Sequence, residues 1–222
     1  MHSGWQKNEP ARLIELLHQN GIPGEKPDYD IPIDAQARAS IMRQLTAAGV
    51  NAELPFLVFC GGGKAQTQCW PLERYADVLS TLPWPVVTIG TDAELTSYRE
   101  QLVPRSAALR LLPKSMNVNE LVELLRLAVA YIGNDTGPMH VAAAVGCPVA
   151  AVISGRNAPG MWDPDVEPRL VFRHRTECEN CFLQDCLAEQ HRCMTSITVD
   201  QVLAELLPFL RSLSGLRHST LP

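Results

Sequence analysis

The 222-residue chain lacks any apolar run long enough to span a membrane, and its N-terminus lacks the basic-then-apolar pattern of a signal peptide. It also lacks an excess of positive charge: Lys and Arg number 19 against 24 Asp and Glu, a formal net charge of −5. Binding nucleic acid through its phosphates needs the opposite balance, which argues against that as the main role. Charged residues are only 19% of the chain and apolar residues 46%, so a packed core is expected rather than disorder. Internal repeats and low-complexity tracts are absent. Without an export signal, the seven cysteines point to thiols or a metal site before disulfides, and the expected location is the cytoplasm.

What is present is an alternation of short apolar runs and amphipathic segments. Leu13, Leu16 and Leu17 give a first helix a narrow apolar face, broken by Gly21-Ile-Pro-Gly24. Residues 22–34, with prolines and several acids, read as an extended linker, and a second helix covers Ala35–Ala48 until Gly49 stops it. Phe56–Cys60, Pro85–Ile89, Leu109–Leu112, Tyr131–Ile132 and Val149–Ile153 read as strands. Helices over Leu72–Leu82, Ala93–Leu102, Val118–Ala130 and Met139–Val145 fall between them. Strands that are apolar throughout belong to a parallel sheet covered on both faces. The expected fold class is therefore α/β, a Rossmann-like doubly wound sheet of about five or six strands. Residues 1–50 would hold N-terminal helices and a linker, and residues 51–222 the sheet domain with a Cys-rich segment at 178–193. Ligands of such sheets bind at the carboxyl ends of the strands, which puts the loops after residues 60, 89, 132 and 153 on one rim.

One stretch carries most of the functional information: Tyr131-Ile-Gly-Asn-Asp-Thr-Gly-Pro-Met-His140, running into Val-Ala-Ala-Ala-Val-Gly146. It reads as a strand, a tight polar turn and a helix N-terminus. Such a turn presents backbone N–H groups and the positive end of a helix dipole, which suits a diphosphate. Asp135 and Thr136 add an acceptor and a hydroxyl, Gly137 permits close approach, Pro138 suits a first helical turn, and His140 sits one turn in. The same residues also fit an ordinary strand-to-helix loop with Asp135 or Thr136 as N-cap and His140 as a satisfied polar residue.

Asp-Thr-Gly-Pro-Met-His followed by Ala-Ala-Ala-x-Gly resembles the signature of family 9 glycosyltransferases, the lipopolysaccharide heptosyltransferases and their relatives. The resemblance covers most of the chain, from the first helix to about residue 210. It implies the C-terminal, donor-binding domain of a GT-B glycosyltransferase, in which Thr136 and the Gly137 amide hold phosphate, Asp135 holds sugar hydroxyls and His140 supports the site. Gly90-Thr-Asp-Ala-Glu94 resembles the family loop whose glutamate accepts from the donor ribose; Glu94 also fits simply as a first-turn acid. Met116 falls where the family places a residue against the nucleobase, and equally suits core packing. The family carries a basic residue one or two positions before Trp70-Pro71. Here those positions are Gln68 and Cys69, and Lys64 is either their replacement at the phosphates or a solvated loop lysine. Arg156 lies on the same rim with no assigned role.

The resemblance further implies a nucleotide-sugar donor of the ADP-heptose kind, transfer to a cell-envelope glycan, no cofactor required for the chemistry, and work in the cytoplasm or at the inner membrane face. Family members place the acceptor site and base in a preceding domain. This chain begins near the linker, so an incomplete enzyme and a separate N-terminal domain or subunit are expected, and no catalytic base is assigned. The competing reading is a non-catalytic nucleotide- or partner-binding module.

Four of the seven cysteines, Cys178, Cys181, Cys186 and Cys193, fall within sixteen residues. Thiolates this close suit tetrahedral zinc or iron. Disulfides and free thiols are equally open readings, and His174 or His191 could replace a cysteine as ligand. Cys60, Cys69 and Cys147 lie in or beside core segments and read as small buried apolar residues.

Overall fold

Six strands form the centre of the protein: β1 (Leu57–Cys60), β2 (Val86–Thr88), β3 (Leu109–Leu111), β4 (Ala130–Asn134), β5 (Val149–Val152) and β6 (Arg169–Phe172). The structure, a computed structural model, describes residues 9–25, 29–112, 116–187 and 189–217. Every neighbouring pair is parallel, in the order β3-β2-β1-β4-β5-β6. This is the doubly wound Rossmann-like order. The helices are α1 (Glu9–Gln19), α2 (Ala35–Ala47), α3 (Leu72–Ser80), α4 (Asp92–Gln101), α5 (Val118–Leu127), α6 (Gly137–Ala144), α7 (Arg192–Thr195) and α8 (Val199–Arg217).

Period-two alternation along β1 explains the two-sided core. Leu57 and Phe59 join Ile132 and Val152 beneath Ala76 and Leu79 of α3 and Leu206 and Leu210 of α8. Val58 and Cys60 point the other way, beneath Ile41 and Leu45 of α2, Leu124 and Leu125 of α5, and Met139 and Ala142 of α6. Each fully buried aliphatic or aromatic side chain of this kind contributes about 1.5–3 kcal/mol.

Local sequence sets the helix ends. Asp34 caps α2 by accepting from the Ala37 N–H at 2.9 Å. At the other end, Gly49 adopts φ +73 and Val50 N–H donates back to the Leu45 carbonyl. Gly146, at φ +72, closes α6 in the same way. Reciprocal capping boxes start α4 (Thr91 and Glu94) and α5 (Asn117 and Glu120).

Several differences from the sequence reading have physical causes. The second helix docks on the sheet. Ile41 and Leu45 are fully buried, and the buried Glu123 of α5 accepts from Arg38 of α2 (3.2 Å), from Arg126 (2.9 Å) and from the Asp34 backbone N–H (3.3 Å). By contrast α1 buries no residue and leaves Leu13, Leu16 and Leu17 exposed; its Glu9 N–H donates to the Met161 carbonyl. Residues 26–28 of the expected linker lie outside the described residues. The expected helix to Ala130 ends at Leu127, where Ala128 turns extended (ψ 148) and feeds β4. The expected helix from Met139 begins at Gly137, with Pro138 inside its first turn. Three elements, β6, α7 and α8, have no counterpart in the sequence reading.

Candidate functional site

The strand order reverses between β1 and β4. After β1 the chain leaves for α3 on one face, and after β4 it leaves for α6 on the other. The two loops therefore diverge and open a crevice at the carboxyl ends of the strands.

Asn134, fully buried at the last position of β4, ties that crevice together. Its Nδ2 donates to the carbonyls of Gly61 (2.7 Å) and Gly62 (3.1 Å). Its Oδ1 accepts from the Tyr75 hydroxyl (2.7 Å) and the Trp70 N–H (3.2 Å). All four hydrogen-bonding positions of the amide are used. One buried side chain thus fixes the loop after β1 and the start of α3 against the β4–α6 turn.

At the α6 N-terminus, Thr136 is the N-cap residue, but its side chain caps nothing. Neither the Asp135 nor the Thr136 side chain acts as the N-cap acceptor that a plain loop would have. Met139 and His140 N–H groups both donate to the Thr136 carbonyl, and Pro138 has no N–H. The Gly137 N–H has no partner among the described residues, which makes it the principal donor this turn can offer an anion. The Thr136 hydroxyl sits 3.2 Å from the hydroxyl of the buried Tyr131. Burial pushes the Tyr131 phenol well above its ordinary value, so it stays a neutral hydroxyl that orients Thr136.

Asp135 is buried, with Oδ1 3.4 Å from Nε2 of the more exposed His140. Its carbonyl accepts from Gln68 Nε2 at 3.3 Å. Gln68, at the position where a basic residue was expected, therefore braces the turn. The His140 ring meets Trp162 edge-on at 6.0 Å between centroids.

Two adjoining cavities share Lys64 and Thr136. The first, of about 520 Å³, is lined by Lys64, Ile89, Glu94, Met116, Leu121 and Thr136, among others. The second, of about 390 Å³, is lined by Lys64, Gln68, Asp135, Thr136, Gly137, His140, Arg156, Asn157, Trp162 and Gln184. All seven candidate site residues, Lys64, Glu94, Met116, Asp135, Thr136, Gly137 and His140, thus lie on one continuous crevice. Lys64 has no ion-pair partner among the described residues. Glu94 caps α4, its Oε2 accepting from the Thr91 N–H (2.7 Å) and hydroxyl (3.0 Å). A Cβ on Gly62 would lie 1.6 Å from Glu94 Oε1, so the absence of a side chain there makes room for the carboxylate. Met116 lines the cavity and also packs on the core.

Asn134, Tyr131, Asn157, Trp162 and Gln184 were not singled out by sequence. Asn134 had a visible signal: a polar residue ending an apolar strand inside the Gly-Asn-Asp-Thr-Gly motif. Arg156 donates to the carbonyls of Leu183 (2.8 Å) and Phe182 (3.3 Å), so it is a bridge to the Cys-rich segment and not an isolated surface residue. Cys60, at the crevice floor, is held as a neutral thiol because burial pushes it up to about 11.

None of the seven cysteines is paired in a disulfide in this structure. Cys178 is exposed, Cys181 and Cys193 half-buried, and Cys186 buried. Burial raises the Cys193 thiol, and the neighbouring Cys178, Cys181 and Cys186 add to the effect, so the four lie within electrostatic reach of one another. Among the described residues, however, no three His, Cys, Asp or Glu side chains converge as a metal site, so the four-thiolate knuckle, one of the three open readings, is not assembled. His191 is engaged with Asp185 at 2.8 Å.

Fold and crevice together define a doubly wound α/β domain with an uncapped helix N-terminus at its switch point. A sequence profile of glycosyltransferase family 9 (heptosyltransferase) matches residues 6–191, and the chain belongs to that family. It is similar to lipopolysaccharide heptosyltransferase 2 of Salmonella typhimurium, with 28% identity over 209 residues, 88% of this chain and 59% of the relative. The chain thus spans 59% of the length of that curated relative. Among solved structures, a family 9 glycosyltransferase from Veillonella parvula superposes with a TM-score of 0.79 at 20% identity, covering 93% of this chain and 60% of that one. The dodecameric iron-containing heptosyltransferase TibC, solved with ADP-D-beta-D-heptose, superposes with a TM-score of 0.57 at 19% identity, covering 87% of this chain and 51% of that one.

Proposed function

We propose that this chain is the donor-binding half of a heptosyltransferase-like glycosyltransferase, and that its crevice takes a nucleoside diphosphate sugar of the ADP-heptose kind. The observation that carries this reading is the pair of cavities meeting at Lys64 and Thr136. A diphosphate at that junction has a cation, a hydroxyl and the Gly137 N–H around it. The nucleoside then falls in the cavity of Glu94 and Met116, with Glu94 accepting from ribose hydroxyls and Met116 against the base. The sugar falls in the cavity of Asp135 and His140, with Asp135 accepting from its hydroxyls.

The reaction is displacement of the nucleoside diphosphate from the anomeric carbon by an acceptor hydroxyl of a cell-envelope glycan. It needs a base beside the acceptor and electrostatic help for the departing diphosphate. Lys64, Thr136 and the Gly137 amide supply the help. The base and acceptor site are assigned to a separate N-terminal domain or subunit, with residues 1–50 holding the N-terminal helices and the linker region, α2 docked on the sheet, and 51–222 the nucleotide-sugar domain. The chemistry requires no cofactor. Zinc or iron held by Cys178, Cys181, Cys186 and Cys193 would be structural; the soft thiolate donors suit either metal, which would have to draw the four together. No helix among the described residues is long and apolar enough to cross a membrane. We place the protein in the cytoplasm or at the inner membrane face, where a lipid-linked acceptor would be met. The alternative of a non-catalytic binding module is less favoured, because the crevice has a sugar-sized polar cavity beside the nucleotide one.

Titration of the Asp135→Ala variant tests the assignment. ADP-heptose binding should weaken about tenfold or more, and ADP binding much less, since a lost charge-assisted hydrogen bond is worth roughly 1.5–3 kcal/mol. Equal weakening of both ligands would contradict it.

A further inference from the structure

The Cys-rich segment reaches the crevice. Between Cys181 and Cys186 the chain turns back through Phe182, at φ +55, and its tip is clamped from two sides. Arg156, in the loop after β5, donates to the Phe182 and Leu183 carbonyls. Thr67, in the loop after β1, donates its hydroxyl to the Leu183 carbonyl at 2.7 Å and its N–H to the Gln184 carbonyl at 3.4 Å. Of the two loops that hold the tip, the one after β1 frames the crevice, and the one after β5 lines the second cavity through Arg156 and Asn157.

What the clamp delivers is Gln184. Its backbone carbonyl is held, while its side-chain amide has no hydrogen-bond partner among the described residues and lines the second cavity with Asp135, Asn157 and Trp162. A primary amide offers two donors and an acceptor, the complement of a polyol. Trp162 adds a partly exposed indole, whose apolar body suits the C–H face of a sugar ring. An indole and a primary amide also serve a purine, but the less polar cavity around Met116 and Leu121 suits a base better and leaves this polar one to the sugar.

We propose that Gln184 and Trp162 are binding residues for the transferred sugar, and that the Cys-rich segment serves the site by presenting Gln184. This rests on the donor-binding reading above. It gives a functional consequence to the segment that carries the four clustered cysteines.

The test is calorimetric titration of the full 222-residue chain and its Gln184→Ala and Trp162→Ala variants with ADP and with ADP-heptose. Gln184 is exposed and Trp162 lies outside both core clusters, so neither substitution removes core packing. Each variant should bind ADP-heptose about fivefold more weakly, the scale of one net hydrogen bond, and bind ADP within about twofold of the parent. Unchanged ADP-heptose affinity in both variants, or equal weakening of both ligands, would overturn the proposal while leaving the donor-binding reading intact. Failure of the parent chain to bind either ligand would overturn both.

Discussion

The Asn134 side-chain amide donates to the Gly61 carbonyl across 2.7 Å, joining the end of β4 to the loop after β1. Because this amide also serves Gly62, Tyr75 and Trp70, its removal strands several buried polar groups at once. Leaving buried donors and acceptors unpaired costs about 1–3 kcal/mol each. Asn134→Ala should therefore destabilise the domain by about 3 kcal/mol or more in urea unfolding. Asn134→Asp, which keeps the shape but cannot donate to two carbonyls at neutral pH, should also destabilise. A change below about 0.5 kcal/mol in both variants would mean that the loops are held by other contacts.

Gly62 and Glu94 form a second coupled pair. A methyl group at Gly62 would displace the Glu94 carboxylate, and with it the capping box of α4. Capping groups are worth about 0.5–2 kcal/mol. Gly62→Ala and Glu94→Ala should each lower stability on that scale and each weaken nucleotide binding. The double variant should be little worse than the poorer single one, as expected for contacting residues. Additive losses in a double-mutant cycle would show that Gly62→Ala acts elsewhere.

The alternation of β1, α3, β2, α4, β3, α5, β4, α6 and β5 was legible because most of the strands are apolar runs and helices such as α3 and α5 carry an apolar stripe. The β6 strand was not, because Arg169-Leu-Val-Phe172 is an edge strand that starts on an exposed arginine. The α8 helix left a readable trace in Val202, Leu206, Leu210 and Leu213, all buried, but Pro208 interrupts the pattern. The motif around Asp135 was legible through its residue types and order. The role of Asn134 was not, because its partners lie 59 to 73 residues away in the chain. Gln184 was hidden for the same reason: its place in the cavity depends on Arg156 and Thr67, both far from it in sequence.

Cys60 predicts a pH dependence. Burial lifts its thiol from an ordinary 9.0 to about 11, so the folded chain holds the proton more tightly than the unfolded chain. The contribution is complete below pH 9 and is lost as pH rises towards 11, on the order of 2–3 kcal/mol in all. Cys60→Ala should flatten the fall in stability between pH 9 and 10, before the buried tyrosines add their own titration. An unchanged slope in that window would contradict the assignment. At pH 7.5 Cys60 should also react far more slowly than Cys178 with a thiol reagent, because one is buried and the other exposed.

The Cys-rich segment has a direct chemical test. Protein purified without chelator should carry close to one equivalent of zinc or iron if Cys178, Cys181, Cys186 and Cys193 hold a metal. Ser substitution at Cys178 or Cys181 should then loosen the C-terminal region and leave the Asp135 turn intact. Less than about a tenth of an equivalent of metal, together with fully titratable thiols, would establish the free-cysteine state.

The central claim is that this chain by itself holds a nucleoside diphosphate at the junction of its two cavities. Calorimetric titration of the purified chain with ADP measures this directly. The expected result is saturable one-to-one binding with a dissociation constant on the order of 0.1–1 mM, about −4 to −5.5 kcal/mol, abolished in a Glu94→Ala/Thr136→Ala double variant that remains folded. No sugar transfer is expected from the chain alone. Absence of ADP binding, or binding that the double variant leaves unchanged, would contradict the account.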